Sequence, residues 1–173
     1  MIKKILLSFF WIALLLGILG AQDLHSKNYT QDQQLILVGI GALNDGFYDI
    51  AEKQFSQFMK DYPNHEKGYE VCYLLGKTLF LKKKLRESKT LFLNILNENK
   101  NFEYTDHTLY WLAEIEIRLG HGEEARKLLS SIGKRFPKFE WIDYTHYLLG
   151  LLDFEFNRFS EAEASFKKVP LSS

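Results

Sequence analysis

Apolar residues recur along this chain at spacings of three and four, the period that lines them up on one face of an α-helix. The pattern also repeats over a longer interval. The small residues Ala51, Ser88, Ala125 and Ala162 stand 37 apart. Four positions after each come Phe55, Phe92, Leu129 and Phe166. Twelve positions before each come Gly39, Gly76, Ala113 and Gly150, preceded by Val38, Leu75, Leu112 and Leu149. Pro63 and Pro137 follow the first and third small residues by twelve, and Lys100 takes that place in the second unit. Every unit is interrupted near its middle, at Asn44-Asp45-Gly46, Lys82-Lys83-Lys84, Gly120-His121-Gly122 and Asn157-Arg158. The pattern predicts helix, tight turn, helix in each unit. Two such helices approach closely only where one presents almost no side chain, which explains a Gly/Ala column next to a Phe/Leu column. Asp49 and Ser160, each with a glutamate three residues on (Glu52, Glu163), have capping-box spacing and are expected to be N-caps of the second helices. The predicted fold is all-α, an α-solenoid of about four helix pairs over residues 32–173.

A different kind of segment precedes the repeats. Lys3 and Lys4 are followed by the almost wholly apolar run from Ile5 to Leu19, then by Leu19-Gly20-Ala21 and the polar Gln22-Asp23. That order is the order of a secretory signal peptide. Residues 1–21 are expected to be removed, leaving a leader over 22–31. The run is short for the ~20 residues of a membrane span, and an uncleaved signal-anchor in the inner membrane is the alternative. In either case the lysines stay inside and the remainder is exported, with a bacterial periplasm as the expected compartment. No cysteine stands at the end of the run, so the attachment site of a bacterial lipoprotein is missing.

The order of a large apolar residue, then Gly or Ala (Gly39, Gly76, Ala113, Gly150), then Ala or Ser, then Phe or Leu, then Pro resembles the tetratricopeptide repeat, TPR. The resemblance covers residues 32–173, with a unit three residues longer than the family's 34. Leu109-Tyr110-Trp111-Leu112-Ala113-Glu114 and Asp61-Tyr62-Pro63-Asn64 look like bacterial periplasmic members. The resemblance implies a non-catalytic scaffold that binds a protein or peptide partner on the face formed by the first helices. It also implies that unit positions 5 and 12 point into that groove: Ile36, Tyr73, Tyr110 and Tyr147 at the first, Leu43, Phe80, Ile117 and Phe154 at the second. The tyrosines are expected to form a ladder, with Lys77, Glu114 and Arg118 orienting the partner. Members that grip a C-terminal carboxylate use Lys, Arg and Asn on this face; only Lys77 and Arg118 could serve here, so no such clamp is expected. The alternative reading is a fixed structural subunit of an envelope complex, related to outer-membrane assembly or cell division.

Composition narrows these classes further. Lys and Arg number 22 and so do Asp and Glu, and this lack of a basic excess argues against nucleic acid as a partner. The five histidines show no metal-ligand spacing. There is no phosphate loop and no nucleophile elbow, so no enzyme, cofactor, metal or small-molecule substrate is expected. The single cysteine, Cys72, is predicted to be buried and inert. The basic turn Lys82–Lys84 is expected to be solvated, and Glu123 and Glu124 to favour a helix start. Phe166 and Val169 are expected to remain partly exposed at the end of the fourth unit, which implies self-association there or a longer array.

Overall fold

A computed structural model describes residues 29–100 and 102–170. The chain divides into two compact units, residues 1–34 and 35–173, and the second holds the repeats. The predicted signal segment lies outside the described residues. Among the described residues no helix is long and apolar enough to cross a membrane. The helices are α1 (Gln31–Asn44), α2 (Tyr48–Asp61), α3 (Gly68–Leu81), α4 (Leu85–Glu98), α5 (Thr105–Arg118), α6 (Gly122–Arg135), α7 (Ile142–Glu155) and α8 (Phe159–Phe166). They pair as α1/α2, α3/α4, α5/α6 and α7/α8, as the periodicity predicts. At the start of α1 the Gln33 side chain accepts a hydrogen bond from the Thr30 backbone N–H, the reach-back half of a capping box.

The turn inside each pair is the same structure four times. Gly46, Lys83, Gly120 and Asn157, spaced by the repeat, all have positive φ. The N–H groups of Phe47, Lys84, His121 and Arg158 reach back to the carbonyls of Ala42, Leu79, Glu116 and Asp153 at 2.8–2.9 Å. This is the helix-ending motif in which a left-handed residue lets the next N–H close on the third-last carbonyl. The same four residues then open the next helix: their carbonyls accept from Ala51, Ser88, Ala125 and Ala162. This corrects the capping expectation. The N-cap of α2 is Phe47 and that of α8 is Arg158, neither with a side-chain cap bond, and Asp49 and Ser160 lie inside the first turn. A capping box has no task here, because the N–H that a glutamate would reach back to is already bonded.

Within each pair the small-residue columns do what their chemistry requires. Ala51, Ser88, Ala125 and Ala162 are buried. The Ser88 hydroxyl is accommodated by donating to the Gly76 carbonyl at 2.7 Å. A Cβ placed on Gly39, Gly76 or Gly150 would sit 2.5–2.6 Å from the ring of Phe55, Phe92 or Phe166. In the third unit the column has Ala113, and its partner is the slimmer Leu129. The pair therefore exchanges volume: Gly with Phe three times, Ala with Leu once.

Between pairs, the second helix of one unit is tied to the first helix of the next by charge. Lys89 bonds Glu116 at 2.5 Å, and Arg126, one repeat further, bonds the buried Asp153. At the first seam the signs are reversed. Glu52, in the column of Lys89 and Arg126, accepts from Lys82 at 2.6 Å and Lys84 at 2.7 Å, and Asp49 also bonds Lys82. The basic turn is thus an inter-unit bridge, not a solvated loop. Glu123 likewise bonds Arg158 at 2.7 Å, in addition to opening α6.

These groups set a pH dependence. Burial, helped by Lys168, pushes the His146 imidazole below its usual value near 6.5, and its Nδ1 is buried without a hydrogen-bond partner. As pH falls the unfolded chain takes up that proton first, so stability drops below about pH 6.5. The bonds from Lys82 and Lys84 lower Glu52. At Glu116 burial pushes upward, but Lys89 and His121 more than offset it. Stabilisation by these carboxylates is complete above their ordinary value of 4.5 and is lost as pH falls through the lowered ones. Urea midpoints are expected to hold above about pH 6.5 and to fall in two stages below it, with the first stage missing from His146→Gln.

Candidate partner-binding groove

The links between units decide which predicted groove residues are open. After α4 and α6 the chain carries Phe102 and Tyr104, then Phe139 and Trp141, two aromatic columns at the repeat spacing. They fold onto the position-5 tyrosines. Tyr73 stacks on Tyr104 at 5.4 Å with 16° between the planes, meets Phe102 at 6.1 Å, and accepts a hydrogen bond from Trp111 Nε1 at 3.1 Å. Tyr110 meets Trp141 at 5.1 Å and Phe139 at 6.1 Å. Tyr73 and Tyr110 are 7% and 5% exposed, whereas Tyr147 is 42% exposed. The expected ladder of open tyrosines is corrected accordingly. Two of its rungs belong to the core because the lengthened links cover them, and Tyr147 lies open beside its stacking partner Tyr144. Burial raises the Tyr73 phenol to about 12. Burial together with Glu114 raises Tyr110 well above the usual phenol range. Both hydroxyls therefore stay protonated.

The remaining predicted residues divide in the same way. Ile36 is buried in the core of the first unit, and Ile117 is half-buried against the core of the third. Phe80 is nearly buried, under Trp111 at 4.9 Å and the Arg118 guanidinium at 4.0 Å. Phe154 is 59% exposed at the far end of α7. Lys77 stands 5.9 Å above the Trp111 ring.

Phe80, Tyr110, Glu114 and Arg118 do come together, in a groove of about 420 Å³ that Leu81, Trp111, Trp141 and Tyr144 complete. Its floor is α5, and its walls are the end of α3 and the start of α7. Glu114 Oε1 accepts from the Tyr110 hydroxyl at 2.9 Å, and its other oxygen is 4.0 Å from Arg118 Nε. The rings are set edge to face, with Tyr110–Trp111 at 76° and Trp111–Trp141 at 81°. Of the groove's aromatic residues, Trp111 and Trp141 are half-buried and Tyr144 is exposed, so they form the accessible part of the groove. Position-by-position reading missed Trp111, Trp141 and Tyr144; the signal that finds them is the aromatic spacing Tyr104-Trp141 and the neighbouring pair Tyr144-Tyr147. Cys72 is buried, and burial lifts its thiol to about 11. Among the described residues no three or more His, Cys, Asp or Glu side chains are grouped to hold a metal ion.

Residues 107–138, from the first turn of α5 to the link after α6, match the sequence pattern of the tetratricopeptide repeat family. The third helix pair therefore carries a tetratricopeptide repeat pattern, and all four pairs share its helix-turn-helix form. Solved structures of similar fold include a tetratricopeptide repeat protein from Parabacteroides merdae ATCC 43184, with a TM-score of 0.70 at 21% identity. That alignment covers 80% of this chain and 52% of the other, so this chain spans about half the length of that protein. A MamA structure aligns with a TM-score of 0.68 at 17% identity, over 80% of this chain and 75% of MamA. MamA from residue 41 onward from Desulfovibrio magneticus RS-1 gives 0.68 at 21%, over 84% and 76%. At these identities the likeness is one of fold. No curated protein matches this chain.

Proposed function

We propose that this helical-repeat array is a non-catalytic scaffold of the bacterial envelope, exported behind its apolar signal segment, that holds an apolar segment of a partner protein in the groove above α5. The observation that carries the reading is the groove itself. It is a concave aromatic surface with few, already oriented polar groups, as binding sites for apolar segments are. Glu114 is held by Tyr110, while Lys77 and Arg118 lie over aromatic rings at the edge. The signal segment supports export through Lys3, Lys4, the run Ile5–Leu19 and Ala21.

Tyr144 is the residue on which to test the groove, because it lines it and is half exposed. Tyr144→Ala is expected to leave the thermal midpoint unchanged and to weaken binding about tenfold or more. A photocrosslinker placed at Tyr144, with one at exposed Gln57 as control, identifies the partner in envelope preparations and supplies the ligand for titration. Unchanged affinity in Tyr144→Ala would remove the groove from the reading. Exported protein whose N-terminal sequence starts at Met1 would replace cleavage by a signal-anchor. A partner set fixed in stoichiometry, not exchangeable, would mark a structural subunit.

A further inference from the structure

Each seam inside the array is made by the same contact. A pair of adjacent large residues on a first helix seats on the preceding unit: Leu74-Leu75 on the first core, Trp111-Leu112 on the second, Leu148-Leu149 on the third. The surface they cover is formed in the second unit by Phe80, Phe92 and Ile95, all nearly or fully buried. At the fourth unit the same columns hold Phe154, Phe166 and Val169. Together with Phe159 they line an open apolar hollow of about 590 Å³. Phe154 and Phe159 are 59% and 55% exposed. On α1 the seating pair is Leu37-Val38, and these are 47% and 51% exposed.

The two open faces also differ from the third interior seam in matching ways. At the third seam Gly122 is the small residue, and Leu152 and Phe156 fill the space over it. The residue in the Gly122 column at the fourth unit is Phe159, a full ring. The residue in the Leu152 column on α1 is Gly41. A glycine inside a helix costs stability relative to alanine. A Cβ on Gly41 would meet nothing within 4 Å, so no neighbour among the described residues requires this glycine. Bulk has moved from one side of the contact to the other, and the missing side chain lies where Phe159 of a second molecule would need room.

We propose that two copies of this chain associate head to tail, with α1 of one seated on the α7/α8 face of the other in the register of an interior seam. Leu37 and Val38 then cover Phe154 and Phe166, and Gly41 faces Phe159. Such a contact is heterologous and does not close on itself in a pair, so longer assemblies grow with concentration. The register brings Glu163 towards Asp45, where the first interior seam pairs Glu52 with Lys82. The contact is therefore apolar, and added salt strengthens it instead of weakening it.

The test uses Gly41→Leu and Phe154→Glu, each followed by sedimentation velocity over a range of concentration, with circular dichroism to check folding. Both positions are exposed, and leucine is a better helix former than glycine, so both variants keep the fold. The wild-type chain is expected to form concentration-dependent oligomers and each variant to be monomeric. Each variant retains one intact face, so an equimolar mixture is expected to form dimers that grow no further. A wild-type chain that stays monomeric at every concentration overturns the proposal. So does a Gly41→Leu chain that still assembles, which would mean a contact between two like faces, and so does a mixture that stays monomeric.

Discussion

Phe92→Ala is expected to lower the stability of the array by about 3–5 kcal/mol, the usual cost of emptying a fully buried aromatic site. The ring fills the space that Gly76 leaves and packs against Tyr73. The more informative result comes from the smaller change Phe92→Leu. Ala113 and Leu129 show which pair the third unit uses at this contact. Gly76→Ala alone places a methyl 2.6 Å from the Phe92 ring and should cost about 1–3 kcal/mol through overpacking. Combined with Phe92→Leu it should recover most of that loss, with a coupling between the two of the order of 1 kcal/mol or more. Urea unfolding of the two single variants and the double variant gives the cycle directly. Additive losses would mean that the exchange of volume between the columns is not what sets the choice of residue.

Tyr110→Ala is the second large effect. It is expected to reduce stability by about 3–5 kcal/mol and to lower the thermal midpoint together with any change in binding. The ring is enclosed by Trp111, Phe139 and Trp141, and its hydroxyl holds Glu114. Tyr110→Phe keeps the packing and removes only the hydrogen bond, so its cost should stay near 1 kcal/mol. An alanine variant that melts like the wild type would return Tyr110 to the open surface.

The sequence was most informative where one physical requirement repeats. The helix pairs, their turns and the contact of Gly76 with Phe92 follow from columns of like residues, because close approach of two helices allows few solutions. The capping of α2 and α8 was misread because Asp49-Glu52 and Ser160-Glu163 have the right spacing, but the bond they would make is already supplied by the backbone. The groove was legible in part. Phe80, Tyr110, Glu114 and Arg118 lie in it, while Tyr73 lies beneath a link. Helical position alone does not reveal that cover. It depends on where the extra residues of the link place Phe102 and Tyr104, which is a matter of tertiary packing. The seams were not legible at all, since Lys82 and Glu52 are 30 residues apart and their meeting depends on the superposition of units.

Those seams make the repeats non-interchangeable. Glu52 needs the lysines of the second unit, whereas Lys89 and Arg126 both need an acid on the unit that follows. Excising the third repeat would bring Lys89 to Asp153 and leave a matched junction. Excising the second would bring Glu52 against Glu116, acid on acid, one of the two largely buried. The array can thus shorten by one repeat at one place and not at its neighbour, and the order of its units is written in charge although their shape is nearly the same.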